Sequence, residues 1–234
     1  MSPDTGAPPK MAQLFPLFST NIVVDQISNH DKFKEVIVPK LTLSNSDTKA
    51  PWAKHCHTSQ RLADSEGLDV LQTELQLAVE SYFSYLGCEP FKYEIRAWYN
   101  VHTSDMYQQT HHHMNGDELL SGIYYIQFDK EKDQPVVFLN SNNTFATALK
   151  YKGLHPKFLE WDTDNTPDFS AQIQEGSLIL FPPCTPHYVP KAKEPHDGLR
   201  ISMSFNVCFL DTIEKVDDTN NKQLGQRRRK KNFS

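Results

Sequence analysis

The sequence predicts a mainly-β sandwich or barrel buttressed by helix. Three observations carry that reading. Asp64 to Leu86 is one long stretch with apolar residues at helical spacing. From Tyr93 onward the apolar period changes to two. Several short strand-like runs then follow, the last and longest being Leu199 to Leu210. A lone amphipathic helix needs a sheet to lie on, and the later strands supply it.

The elements follow in chain order. Residues 1–13 are Pro-rich and polar and read as a disordered N-terminus. Leu14 to Val24 is apolar and becomes β-branched, which suits an edge strand interrupted by Pro16. A short helix over Asp31 to Val38 follows the candidate cap Asn29. Residues 42–62 hold turn formers and an HxH, His55 and His57, and read as a surface loop. In the long helix, Leu68, Leu71, Leu75, Val79, Tyr82, Phe83 and Leu86 make one stripe, with Asp64 or Ser65 as cap and Gly87 as stop. Strands are expected over Tyr93 to Val101, Met106 to Thr110, Ser121 to Phe128, Pro135 to Leu139 and Ser177 to Phe181, with a short piece at Gln172 to Gln174. Asn140 to Asp168 is polar and aromatic and reads as an insertion, a candidate lid or substrate wall through Phe145, Tyr151, Phe158 and Trp161. Residues 211–234 form a polar tail that turns basic at Arg227 to Lys231 and is expected to be solvated. The organisation is thus one domain over 14–210 with two appendages.

Composition narrows the function. A net charge of −5 argues against a general nucleic-acid binder, although the basic end leaves a local contact open. No run is long and apolar enough for a membrane span, and the N-terminus lacks the apolar core of a signal peptide. Cys56, Cys88, Cys184 and Cys208 show no CxxC spacing and read as reduced thiols of a cytoplasmic-type compartment.

The chemistry is concentrated in Thr110 to Phe128, where three consecutive histidines and two acids precede a strand. Imidazoles crowded at a strand mouth suggest a metal site rather than an exposed polar loop. His111 and His113 are two apart and share a face in extended chain, whereas His112 faces away. A third ligand should come from a distant strand, and His187 fits, because it follows SLILF and a pair of prolines that fix the exit of the chain. Arg200 and Ser202 share a face of the last strand, among apolar neighbours. A planar guanidinium fork beside a hydroxyl is a receptor for a carboxylate, and a buried cation there needs an anion. A structural salt bridge is the alternative reading of Arg200. Ser204 and Asn206 continue the polar face, so this strand lines a cavity. Tyr124 and Tyr125 are candidates for contacts inside the barrel.

Taken together, WYNV (98–101), the histidine cluster, LSGIYYIQF (120–128), EGSLILFPPCTPHYV (175–189) and LRISMSFNV (199–207) resemble the iron(II)- and 2-oxoglutarate-dependent oxygenases. The likeness is to the phage and bacterial branch in which HxH precedes an SGVYY-like strand, and it covers residues 93–209. It implies a double-stranded β-helix, a jelly-roll or cupin-like barrel. It implies iron(II) on His111, His113 and His187, and 2-oxoglutarate gripped by Arg200 and Ser202, with Tyr125 nearby and ascorbate as a candidate accessory. The implied partners are 2-oxoglutarate, O2 and a small-molecule or protein substrate, peptidyl proline being the family-level expectation. The products would be a hydroxylated substrate, succinate and CO2. The implied compartment is the cytoplasm, that of the bacterial host for a phage-encoded chain.

One feature departs from the family. Most members of the wider superfamily place Asp or Glu where this chain has His113. Either three imidazoles bind, or Asp117 or Glu118 reaches back to replace one. Two rival readings keep a β-barrel. A cupin metal enzyme would use Glu118, five residues after His113, but has no use for Arg200 and Ser202. A non-catalytic jelly-roll binding module would make the histidines incidental.

Overall fold

From Tyr93 on, the chain passes back and forth between a larger and a smaller antiparallel sheet, and that winding brings the distant histidines together. A computed structural model gives the architecture and describes residues 19–41, 57–60, 69–140 and 166–210. The order is β1 (Val23–Gln26), α1 (His30–Ile37), β2 (His57–Gln60), α2 (Asp69–Tyr85), β3 (Tyr93–His102), β4 (Gln108–His111), β5 (Glu118–Gln127), β6 (Val137–Leu139), β7 (Asp168–Phe169), β8 (Ser177–Phe181), β9 (His187–Val189) and β10 (Arg200–Phe209). The larger sheet runs β1-β8-β5-β10-β3-β2 and the smaller β4-β9-β6-β7. From β3 onward the chain winds from one sheet to the other, which is the double-stranded β-helix that the sequence led us to expect.

The period of two sorts residues onto two faces of the larger sheet. On the outer face Leu120, Tyr124, Ile126, Leu178, Leu180, Ile201, Met203, Phe205 and Val207 join Phe33 and Ile37 of α1 and Leu71, Leu75, Val79 and Tyr82 of α2 in one core. On the inner face Ile123, Tyr125, Ile179 and Phe181 pack with Val136 and Phe138 in a second core between the sheets. Gly122 lies under Phe205, and a Cβ there would sit 2.1 Å from Phe205 Cζ.

Local chemistry explains the helices. The Asn29 side chain makes no capping bond; its Nδ2 donates instead to Glu74 Oε1 of α2 (2.8 Å), while Ser28 N donates to Glu74 Oε2 (2.8 Å). One carboxylate thus ties the start of α1 to α2. The end of α2 is a Schellman motif: Gly87 takes φ 74°, Gly87 N donates to Ser84 O (2.9 Å) and Cys88 N to Phe83 O (2.9 Å).

Several boundaries differ from expectation. The first strand lies at Val23–Gln26, so Asn21 and Ile22 are outside it; it is an edge, paired only with β8. The segment expected to be a loop contains β2, which pairs His57–Gln60 with β3. Its sequence, HTSQ, carries no apolar alternation, and a partner strand alone recruits it. No strand forms at Gln172 to Gln174; β6, paired with β9 on one side, pairs on the other with β7, which begins at the last residue of the expected insertion. β9 was not anticipated, because three residues carry no readable period. Leu86 is 44% exposed and leaves the α2 stripe one residue short. Tyr124 faces the helices rather than the barrel, its hydroxyl 2.7 Å from His30 Nδ1. The expectations for residues 1–13, Leu14 to Phe18, His55, Leu68, the aromatics of 141–165 and the tail 211–234 fall outside the described residues.

Candidate active site

His111 ends β4 and His187 opens β9, and the two are register partners across the smaller sheet. His113 follows two residues later, its backbone N held by Pro183 O (2.9 Å). One nitrogen from each of the three rings lies within 4.8 Å of the others. Ring centroids stand 4.4 Å apart for His111–His187, 5.0 Å for His113–His187 and 5.3 Å for His111–His113. Phe181 and Phe138 border His187, and Trp98 borders His113. These aromatic walls keep the cluster dry on the barrel side.

Each Nδ1 meets a protein oxygen. His111 Nδ1 donates to Gln109 O (2.7 Å), His187 Nδ1 to Thr185 O (2.9 Å) and His113 Nδ1 to Asn206 Oδ1 (2.9 Å). A carbonyl oxygen only accepts, so the proton of each neutral ring sits on Nδ1 and the lone pair on Nε2. Burial favours that neutral state. It pushes His187 down to about 3 and His113 to about 4, with the facing imidazoles adding repulsion, and it also lowers His111. Three neutral imidazoles with fixed tautomers, His113 and His187 buried and His111 half-buried, are a donor set that fits a divalent metal with nitrogen preference.

The residues that left the ligand set open have other engagements. His112 is exposed. Asp117 Oδ2 pairs with Arg96 Nη2 (3.0 Å), and Glu118 Oε2 accepts from Asn115 N (2.8 Å) and Gly116 N (2.9 Å). Neither acid joins the histidine cluster.

Further along the same barrel face, Arg200 is only 4% exposed. Its Nη1 donates to Gln134 O (2.7 Å) and Pro190 O (3.2 Å). These carbonyls aim the guanidinium. The turn that offers Gln134 is pinned by Asp133, which accepts from Asp129 N (2.9 Å) and His196 Nε2 (3.1 Å). Ser202 is buried opposite Asn100 and Tyr125. Tyr125 Oη accepts from Val136 N (3.0 Å) and still has its own proton to donate; burial pushes that phenol up to about 12.

Sequence reasoning overlooked part of this lining. Asn100 Nδ2 donates to Ser204 Oγ (2.9 Å), and Gln108 Nε2 to Asn100 Oδ1 (3.4 Å). His102, register partner of Arg200, is 2% exposed. Extending the period-two reading of β3 would have found them, since Trp98, Asn100 and His102 share one face. Nothing local marks Asn206 as the partner of His113.

The comparisons with known proteins agree with this geometry. Residues 96–206 match the model of a family described as "Putative 2OG-Fe(II) oxygenase". The match makes the chain similar to the iron(II)- and 2-oxoglutarate-dependent oxygenases, a class of oxidoreductases. Among solved structures it is similar to a prolyl-4-hydroxylase of Pseudomonas putida, at 10% identity over 82% of this chain and 94% of that one, with a TM-score of 0.58. It is also similar to a Trichoplax adhaerens prolyl hydroxylase solved with a hypoxia inducible factor peptide fragment, at 11% identity over 80% of this chain and 83% of that one, with a TM-score of 0.51. At these identities the likeness is one of fold. No curated protein sequence matches. No helix among the described residues is long and apolar enough to cross a membrane.

Proposed function

We propose that His111, His113 and His187 hold iron(II), that Arg200 and Ser202 hold the far carboxylate of 2-oxoglutarate, and that the chain hydroxylates a peptidyl-prolyl substrate. The observation that carries this reading is the three-imidazole cluster within 4.8 Å, drawn from β4, the segment just after it and β9, with every Nδ1 tied to protein.

When bound, iron and 2-oxoglutarate supply oxygen activation coupled to decarboxylation. In balance, substrate C–H, O2 and 2-oxoglutarate give substrate C–OH, succinate and CO2. The protein supplies position and dryness. The three Nε2 lone pairs would hold the metal. The Arg200 fork, aimed by the Gln134 and Pro190 carbonyls, offers charge-assisted hydrogen bonds to a carboxylate. Ser202 adds a hydroxyl donor, and the Tyr125 Oη proton is available to the same anion. Phe138 and Phe181 keep water from the His187 side. The prolyl assignment rests on the likeness in fold to prolyl hydroxylases and on family-level analogy.

The test begins without oxygen. Adding 2-oxoglutarate to the iron(II)-loaded protein should produce a visible charge-transfer band, and admitting air with proline-containing peptides should yield succinate and a prolyl residue heavier by one oxygen. Iron binding with no band would favour the cupin-type chemistry. A band and succinate without any modified proline would move the substrate to another class.

A further inference from the structure

Most members of the wider superfamily place a carboxylate where this chain has His113, and the exchange creates a requirement that a carboxylate does not have. Either oxygen of a carboxylate binds metal, and neither needs a proton placed elsewhere. An imidazole presents one nitrogen at a time, and only the deprotonated one coordinates. Something must therefore choose the tautomer and the ring plane. For His111 and His187 that task falls to the backbone, through Gln109 O and Thr185 O, each two residues upstream on the same chain segment. His113 differs. Its Nδ1 reaches a side chain 93 residues away, Asn206 on β10, at 2.9 Å. Asn206 Oδ1 also accepts from Ser121 Oγ of β5 at 2.9 Å, and Ser121 is fully buried. Asn206 and Ser121 are register partners, so the two strands hold the amide oxygen in place. The amide oxygen thus faces both His113 Nδ1 and Ser121 Oγ.

We propose that Asn206, steadied by Ser121, is the positioning residue of the metal centre: it fixes His113 in the Nδ1–H tautomer and so completes a three-imidazole site where a carboxylate is missing. The inference rests on His113 being a metal ligand as read above. Because the amide is neutral, it orients the ring without adding an anion to the centre. The acceptor on Nδ1 also makes Nε2 a better donor to metal, the usual service of a partner behind a ligating histidine.

Metal affinity tests this without any turnover. The dissociation constant for iron(II) alone is measured anaerobically, without 2-oxoglutarate, in wild type, Asn206→Leu, Asn206→Asp and His113→Ala. Asn206→Leu should weaken binding about 10–100-fold, the range for loss of an outer partner. Asn206→Asp keeps an acceptor on Nδ1 and should bind at least as tightly as wild type. Wild-type affinity in a folded Asn206→Leu protein, or equal weakening in both Asn206 variants, overturns the proposal. His113→Ala separates the two layers: if it leaves affinity intact, the ligand assignment fails; if it destroys affinity while Asn206→Leu is silent, only the positioning role fails. Should Asn206→Leu not fold, nitrogen-15 histidine spectra of the metal-free wild-type protein decide, with the His113 signals identified by their loss in His113→Ala. A protonated Nδ1 on His113 supports the inference, and a protonated Nε2 sinks it.

Discussion

The two faces of β10 both point away from bulk water and are chemically opposite. Ile201, Met203, Phe205 and Val207 turn outward into the helical core, each 3% exposed or less. Arg200, Ser202, Ser204 and Asn206 alternate with them and turn into the barrel. Burying apolar surface stabilises at roughly 25 cal/mol per Å2, whereas burying a polar group costs free energy unless it is bonded. The outer face therefore carries stability. The inner face contributes little to it and holds groups ready for ligands. One strand does both because its side-chain period is two, and a shift of one residue would exchange the faces. Damage to the two faces should therefore fail in different assays.

The inner face gives the larger functional loss. His187→Ala removes a proposed ligand, so metal affinity should fall by more than the ~100-fold upper bound for losing an outer partner. Unfolding temperature with and without iron(II) checks this. Metal at 100 times its dissociation constant should stabilise wild type by about 2.7 kcal/mol and leave the variant unmoved. Equal metal stabilisation in both would break the division of labour at its functional side.

The outer face gives the larger loss of stability. Phe205 is fully buried and packs over Gly122, so Phe205→Ala should cost ~3–5 kcal/mol. Gly122→Ala forces a Cβ into the same ring and should cost ~1–3 kcal/mol. Denaturant unfolding reads both. In the folded fraction, metal affinity should match wild type, and a loss of affinity in step with stability would show the faces to be coupled.

Arg200 sharpens the comparison within the inner face. A hydrogen bond to a charged group is worth ~1.5–3 kcal/mol, so Arg200→Met should raise the KM for 2-oxoglutarate roughly 10–150-fold. Arg200→Lys should rescue little, since a point charge does not reproduce the fork. Iron(II) affinity without 2-oxoglutarate should stay unchanged in both. A matching drop in metal affinity would mean that Arg200 supports the centre structurally instead.

How much of this was legible in the sequence follows from the range of the interactions. Alternation over ten residues exposes β3 and β10, and helical spacing exposes the α2 stripe, because each pattern repeats within its own segment. The histidine segment and His187 were legible as candidates because strand mouths and a Pro-Pro exit are local signals. β2, β7 and β9 were not, since strands of two to four residues exist only through their partners. The same limit hid Asn206. Its significance lies in a bond to His113 that no spacing records, although its place on the polar face of β10 was plain. The direction of Tyr124 was lost for another reason: the pair Tyr124-Tyr125 straddles the sheet, and only register decides which ring enters the barrel.

The smallest effect concerns the seam between the helical buttress and the sheet, far from the metal ligands in kind. Glu175 Oε1 meets Lys34 Nζ (2.6 Å) and His30 Nε2 (3.4 Å) of α1, and its Oε2 accepts from Phe128 N (3.1 Å). Burial alone would raise this carboxyl, but the Lys34 ammonium, the Phe128 N–H and His30 outweigh it and hold it below the ordinary value of 4.5. A carboxyl depressed on folding stabilises above its unfolded value, and that contribution is lost as pH falls through the folded value. Glu175→Gln should therefore lower stability at pH 7 by no more than ~1 kcal/mol, because the pair is about one-third exposed and screened. The gap between variant and wild type should close below pH 4.5 and shrink with added salt, as followed by urea unfolding at each pH. A gap that persists at pH 3 would assign the loss to packing of the side chain rather than to its charge, and a change in metal affinity would deny that the buttress and the barrel interior are separate.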